Sequence, residues 1–187
     1  MKTIMAAVTL SLACSALPAH AADTVTYRFK ALVEYGSGPG SPPMSGAIGT
    51  KLGAVGIITV TLDKNAGGTI TSDTAIYSGG YACPANPDPI VSITVTLGGQ
   101  TLPYFTPGSC DVVSITQNVN GVSSIIIYND LEQVGTTFDL TFTSTSPNAV
   151  PSLAIPDRID TTAFDRSLFN LNLTGPDYQV SGDLATK

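Results

Sequence analysis

The chain has 187 residues with 14 acidic and 8 basic side chains, a formal net charge of −6, and charged residues make up only 12% of it. That balance excludes nucleic-acid recognition, which needs a basic stripe against the phosphates, and equally an acidic membrane surface as partner. With 18 Gly, 13 Pro, no Trp and few Lys or Glu, the composition favours strands and turns in a chain long enough for one well-buried core.

At the N-terminus, Lys2 precedes an apolar run from Ile4 to Ala13, and Ala19-His20-Ala21 places small residues three and one before Ala22. This predicts a signal peptide over 1–21, cleaved after Ala21, and a single domain over 22–187 that is secreted or periplasmic. The run is too short for a spanning helix and no other segment offers about 18 uninterrupted apolar residues, so no transmembrane segment is expected. Ser11-Leu12-Ala13-Cys14 is a competing lipoprotein box that would make Cys14 a lipid-bearing terminus. Its Ser11 stands where leucine is usual, which favours the later cleavage site.

Val25, Tyr27, Phe29, Ala31 and Val33 alternate with more polar residues and predict the first strand, followed by a surface loop over Gly36 to Pro43. Ile58, Val60 and Leu62 alternate with Thr59 and Thr61 in a second strand. Asp63 to Gly68 turns the chain, and Thr69 to Tyr77 is expected to be the partner strand. Val91, Ile93, Val95 and Leu97 alternate with Ser92, Thr94 and Thr96, Gly98-Gly99 supplies a two-residue turn, and Gln100 to Phe105 returns, giving a β-hairpin.

Val113 and Ile115 form another strand, Asn118 to Gly121 a turn, and Ser123 to Tyr128 a strand whose three consecutive isoleucines predict cover on both faces. Phe138, Leu140 and Phe142 alternate next, then Phe169, Leu171 and Leu173, and Tyr178 and Val180 open a closing strand. The one helical candidate is Asp160 to Leu168, with Thr161 or Thr162 as its cap. Roughly nine or ten short strands at turn-punctuated spacing predict an all-β fold, an antiparallel β-sandwich of jelly-roll or Ig-like type.

Taken together, GAVGIITVTLD, ITVTLGGQTL, IIIYND, FDLTF and LAIPDRIDTTAFDRSLFNLNL resemble small exported bacterial β-rich proteins of the PEP-CTERM-associated type, from about Gly53 onward. The resemblance implies an exported β-rich protein without an assigned activity and transfers no site residue. The chain departs from that class at Asp183-Leu184-Ala185-Thr186-Lys187, where a sorting tail would carry a Pro-Glu-Pro-like motif, so anchoring by that route is not expected.

The single histidine, His20, leaves with the signal peptide, which removes Ser-His-Asp, Cys-His and the usual zinc chemistry from the mature chain. Cys83 and Cys110 are expected to form a disulfide in an oxidising compartment, worth about 3.5 kcal/mol for a loop of about 27 residues. No catalytic residue and no cofactor is expected. Asp157, Asp160 and Asp165 are the calcium candidates, set against solvated turn aspartates. Thr59/Thr61, Thr94/Thr96 and Thr141/Thr143 form a possible flat contact surface, set against ordinary exposed strand threonines. Tyr35, Tyr77 and Tyr81 are either an aromatic contact surface or partly buried edge residues.

The expected function is that of a non-enzymatic surface, matrix or envelope interaction protein with a glycan or protein partner. The alternatives are a pilus or adhesin subunit assembled by strand donation, and a carbohydrate-binding module or hydrolase.

Overall fold

The computed structural model describes residues 23–37, 53–79, 88–102, 111–131, 136–173 and 178–186. The segment 1–21 with Cys14 and His20, the loop beyond Ser37, Tyr81, Cys83 and Cys110 lie outside the described residues.

The fold is all-β and antiparallel. Its strands are β1 (Thr24–Ser37), β2 (Val55–Asp63), β3 (Gly68–Ile70), β4 (Thr74–Gly79), β5 (Ile90–Leu97), β6 (Gln100–Leu102), β7 (Asp111–Val119), β8 (Val122–Leu131), β9 (Thr136–Ser144), β10 (Arg166–Leu173) and β11 (Tyr178–Thr186). They form one sheet in the order β3-β4-β7-β8-β9-β10-β11-β1-β2-β5-β6. The first and last strands therefore meet in the middle of the sheet, where β11 pairs with β1.

The sheet folds over on itself. β1 and β9 are separated by β10 and β11, a distance of about 14 Å across three strand spacings of a flat sheet. Yet the rings of Phe29 on β1 and Phe142 on β9 lie 5.2 Å apart. β5 likewise approaches β7, although they stand tenth and third in the sheet. One contiguous core results, running from Tyr27 to Leu184, with one face of every long strand turned into it.

The segment 145–165 lies against this core with most of its residues exposed, and is hydrogen-bonded to several strands at once. Tyr27 on β1 donates to the Pro156 carbonyl, Tyr77 on β4 to the Leu153 carbonyl at 2.9 Å, and Gln117 on β7 to the Val150 carbonyl at 2.8 Å. Val150, Ile155 and Ile159 of the same segment enter the core. Tyr77 is thus a buried structural residue, with its hydroxyl satisfied as burial demands.

Local chemistry explains the turns. Gly98 and Gly99 have φ of 57° and 84°, and Asn120 and Gly121 have 52° and 80°, the paired positive angles of tight hairpin turns that suit the twist of the flanking strands.

Five expectations change against this fold. The 69–77 segment is two strands, because Thr71 and Asp73 hydrogen-bond each other and Thr71 bonds Thr74, turning the chain at 71–73. Neither strand pairs with β2, whose partners are β1 and β5. Val91 is exposed and Ile90 buried in its place, since the β2–β5 register shifts between Thr61 and Leu62. β8 is covered on one face only: Ile125 and Ile127 are buried while Ile126 faces outward between Ser114 and Thr141. The helix expected over 160–168 is a single 3₁₀ turn, Thr161–Ala163, capped by Asp160. Strand pairing to β9 claims the chain from Arg166 onward.

Candidate functional site

Two of the three predicted threonine pairs come together. Thr59 on β2 faces Thr94 on β5, and Thr61 faces Thr26 on one side and Ser92 on the other. Thr26 and Thr61 share a hydrogen bond of 3.0 Å, and Thr96 and Thr101 another of 3.0 Å. The outer face of β1, β2, β5 and β6 therefore carries rows of hydroxyls, spaced about 4.8 Å apart as the strands are and interrupted by Ile57 between Lys30 and Thr96. Arg28, exposed beside Thr59, adds a positive charge to one side of it. Thr141 and Thr143 sit on β9, in a different ladder, where Thr141 bonds Asp139 and Asp139 accepts from Asn170.

The three calcium candidates are not brought into one site. Asp157 pairs with Lys64 at 2.5 Å, and that bond holds the lysine above its ordinary range. Asp160 accepts from the hydroxyl and backbone N–H of Thr162 and pairs with Arg158, which together hold its carboxyl below the usual range. Asp165 accepts from the backbone and hydroxyl of Thr145, and from Ser144, with the same effect. Each acid anchors its own part of the 145–165 segment, and the contributions of Asp160 and Asp165 are lost as pH falls through their depressed values.

Two carboxyl pairs exist that the threonine and aspartate patterns did not reveal. Glu34 on β1 and Asp183 on β11 line an open depression of about 300 Å³ together with Asp165 and Arg166. The Asp183 charge, then burial, then the hydrogen bond between the two carboxyls push Glu34 above its ordinary range. Hydrogen-bonded carboxyls are too close to straddle a glycosidic bond, which requires a separation of about 5 Å or more.

The second pair is Asp88 and Asp111, which are hydrogen-bonded, and Asn129 donates to Asp111 at 2.7 Å. Asp111 and Asn129 are 0% and 1% exposed, which keeps any polymeric substrate from them. Asp111 shares a face with Val113 and Ile115, and Asn129 with Ile125 and Ile127, so period two alone points both inward.

No family model, curated protein or solved structure matches this chain. Its chemistry must be read from its own residues. Among the described residues, no helix is long and apolar enough to cross a membrane.

The Glu34 pair makes a pH prediction. A raised folded-state value means that stability present at acid pH is lost as pH rises through it. Glu34→Gln keeps a hydrogen-bonding amide and cannot ionise. Its urea midpoint is expected to match the wild type near about pH 4 and to exceed it at about pH 7. A variant no more stable than wild type at the higher pH would contradict the assignment.

Proposed function

We propose that this chain is an exported, non-enzymatic interaction protein of the cell surface or extracellular matrix that lays its hydroxyl face against a polysaccharide. The observation that carries the reading is the in-register array of Thr26, Thr59, Thr61, Thr94, Thr96 and Thr101, fixed by four neighbouring strands. Hydroxyls both donate and accept, which matches a partner whose own surface is hydroxyls, and a rigid sheet presents them without ordering cost.

Export through segment 1–21 and a Cys83–Cys110 disulfide belong to the same proposal. Gly79 and Asp111 are register partners, and they stand four positions before Cys83 and one after Cys110. Four residues reach at most about 14 Å, enough to return one cysteine to the other. Strand donation is the weaker reading, because the edge strands β3 and β6 are three residues long, a length that discourages addition of a further strand.

The test is co-sedimentation of the purified protein with insoluble peptidoglycan, cellulose, chitin and a biofilm matrix polysaccharide. Binding to one of them is expected. The double variant Thr59→Val, Thr94→Val should weaken it about tenfold, the equivalent of two ordinary hydrogen bonds. Thr141→Val, Thr143→Val on β9 should leave it unchanged. Absence of binding to all four polymers, or equal loss in both double variants, would refute the reading.

A further inference from the structure

Between the 145–165 segment and β8 lies a cavity of about 230 Å³. Buried Ile125, Val150 and Ile159 form its apolar floor, with half-buried Phe164 beside them. None of its lining residues belongs to β1, β2, β5 or β6, so the cavity is separate from the hydroxyl rows.

Its wall is fixed in place. The Val150 and Pro156 carbonyls accept from Gln117 on β7 and Tyr27 on β1, and Pro151 and Pro156 each hold their own φ. A stretch longer than about 15 residues with no more regular structure than one 3₁₀ turn is uncommon in a compact domain and usually carries a function. A cavity shaped before its ligand arrives loses little order on binding.

Few polar side chains line it. Arg158 Nη2 donates to Asp160 Oδ2 at 3.2 Å, and the two side chains are 73% and 43% exposed. Their charges cancel, which favours neither an anion nor a cation. The pair sets a donor beside an acceptor, at nearly the separation of neighbouring hydroxyls on a pyranose ring. Exposed Asn148 and Ser152 add groups that both donate and accept, and the rest of the lining is apolar.

We propose that this cavity binds one N-acetylhexosamine residue, with ring hydroxyls on Arg158 and Asp160 and the acetamido methyl against the apolar floor. Volume limits the occupant to a single ring, since about 230 Å³ is smaller than the roughly 300–1,000 Å³ of pockets that take drug-sized ligands. A plain hexose leaves the floor uncovered, and a short acyl chain gives Arg158 and Asp160 no hydroxyls to bond. The inference goes beyond the polysaccharide reading, because it uses different residues and a soluble monosaccharide.

Ligand-observed NMR and calorimetric titration of the purified chain with free N-acetylglucosamine and N-acetylgalactosamine test it. At least one should bind, with a dissociation constant on the order of 1 mM for a ligand of this size. Glucose and galactose, which lack the acetamido group, should bind about tenfold more weakly or less. Arg158→Ala should weaken binding about tenfold while keeping the wild-type urea midpoint, since its side chain is exposed. Ala149→Leu, which fills the cavity from its half-buried lining, should abolish binding. Thr59→Val, Thr94→Val should leave it unchanged. Silence of both N-acetyl sugars at about 10 mM, ten times the expected constant, overturns the proposal. So does equal affinity for glucose, tighter binding of hexanoate than of either sugar, or an undiminished response in Arg158→Ala or Ala149→Leu. A loss in the threonine variant would place the sugar on the sheet face and overturn it too.

Discussion

Gly182→Ala is expected to destabilise the protein by about 3 kcal/mol, although it adds only a methyl group. Gly182 on β11 faces Val33 on β1, at the point where the β1–β11 register shifts between Val33 and Tyr35. A Cβ built on Gly182 falls 1.8 Å from the Leu32 carbonyl oxygen and 3.0 Å from the Glu34 nitrogen. Both obstacles are backbone, so no side-chain rotation relieves them, and β1 must separate from β11 where the first and last strands pair. A loss of that size corresponds to a fall in Tm of about 8 °C for a chain of this length. Gly121→Ala is the contrast: its surroundings are open and only its φ of +80° resists, at a cost of about 1 kcal/mol. Urea midpoints of the two variants measure the difference, and a Gly182→Ala protein as stable as Gly121→Ala would disprove the close approach.

The larger loss belongs to Phe142→Ala, at about 3–5 kcal/mol. Phe142 is 0% exposed. Its ring stands 5.2 Å from that of Phe29 at 42°, and 5.6 Å from that of Phe164 at 53°. It therefore joins β9, β1 and the end of the 145–165 segment, and its removal opens a cavity where three separate pieces of chain meet. Tm should fall by about 10 °C or more. Phe142→Leu retains most of the volume and should cost under about 1.5 kcal/mol. A double-mutant cycle with Phe29→Ala should return a coupling of about 0.5–1.5 kcal/mol, the part that belongs to the ring pair itself. Additive losses would show that the folded sheet does not bring β1 and β9 together.

Much of this fold is legible one strand at a time. The alternation in Tyr27, Phe29, Ala31 and Val33 places all four inside, and the same holds for Ile58, Val60 and Leu62 and for Phe138, Leu140 and Phe142. The Gly98-Gly99 hairpin and the Asn120-Gly121 turn follow from residues that accept positive φ. Where the reading fails, a neighbour distant in sequence decides. Val91 is displaced to the surface by a register shift that β2 imposes on β5, and Ile126 is turned outward although its isoleucine neighbours are not. Of the Thr69–Tyr77 stretch, adjacent in sequence to β2, the β4 part pairs instead with β7 and stands second in the sheet where β2 stands ninth.

The candidate sites divide in the same way. That Thr59 and Thr61 share a face, and Thr94 and Thr96 another, is a property of each strand alone. That the two faces are one surface, while Thr141 and Thr143 belong to a different one, depends on β2 lying beside β5. Asn129 and Asp111 point inward by period, but Asp88 reaches them only because the sheet folds over.

By itself, then, the sequence determined the strand periods, the tight turns, the low charge and the single histidine at position 20, because each is carried by a residue and its near neighbours. Strand order, the curl that brings Phe29 onto Phe142, and the meeting of Asp88 with Asp111 were decided only by the tertiary structure. Alternation says which side of a strand is apolar and is silent about which strand lies beside it. That choice is made by the packing of all the inner faces into one core, a sum over contacts that no local segment contains.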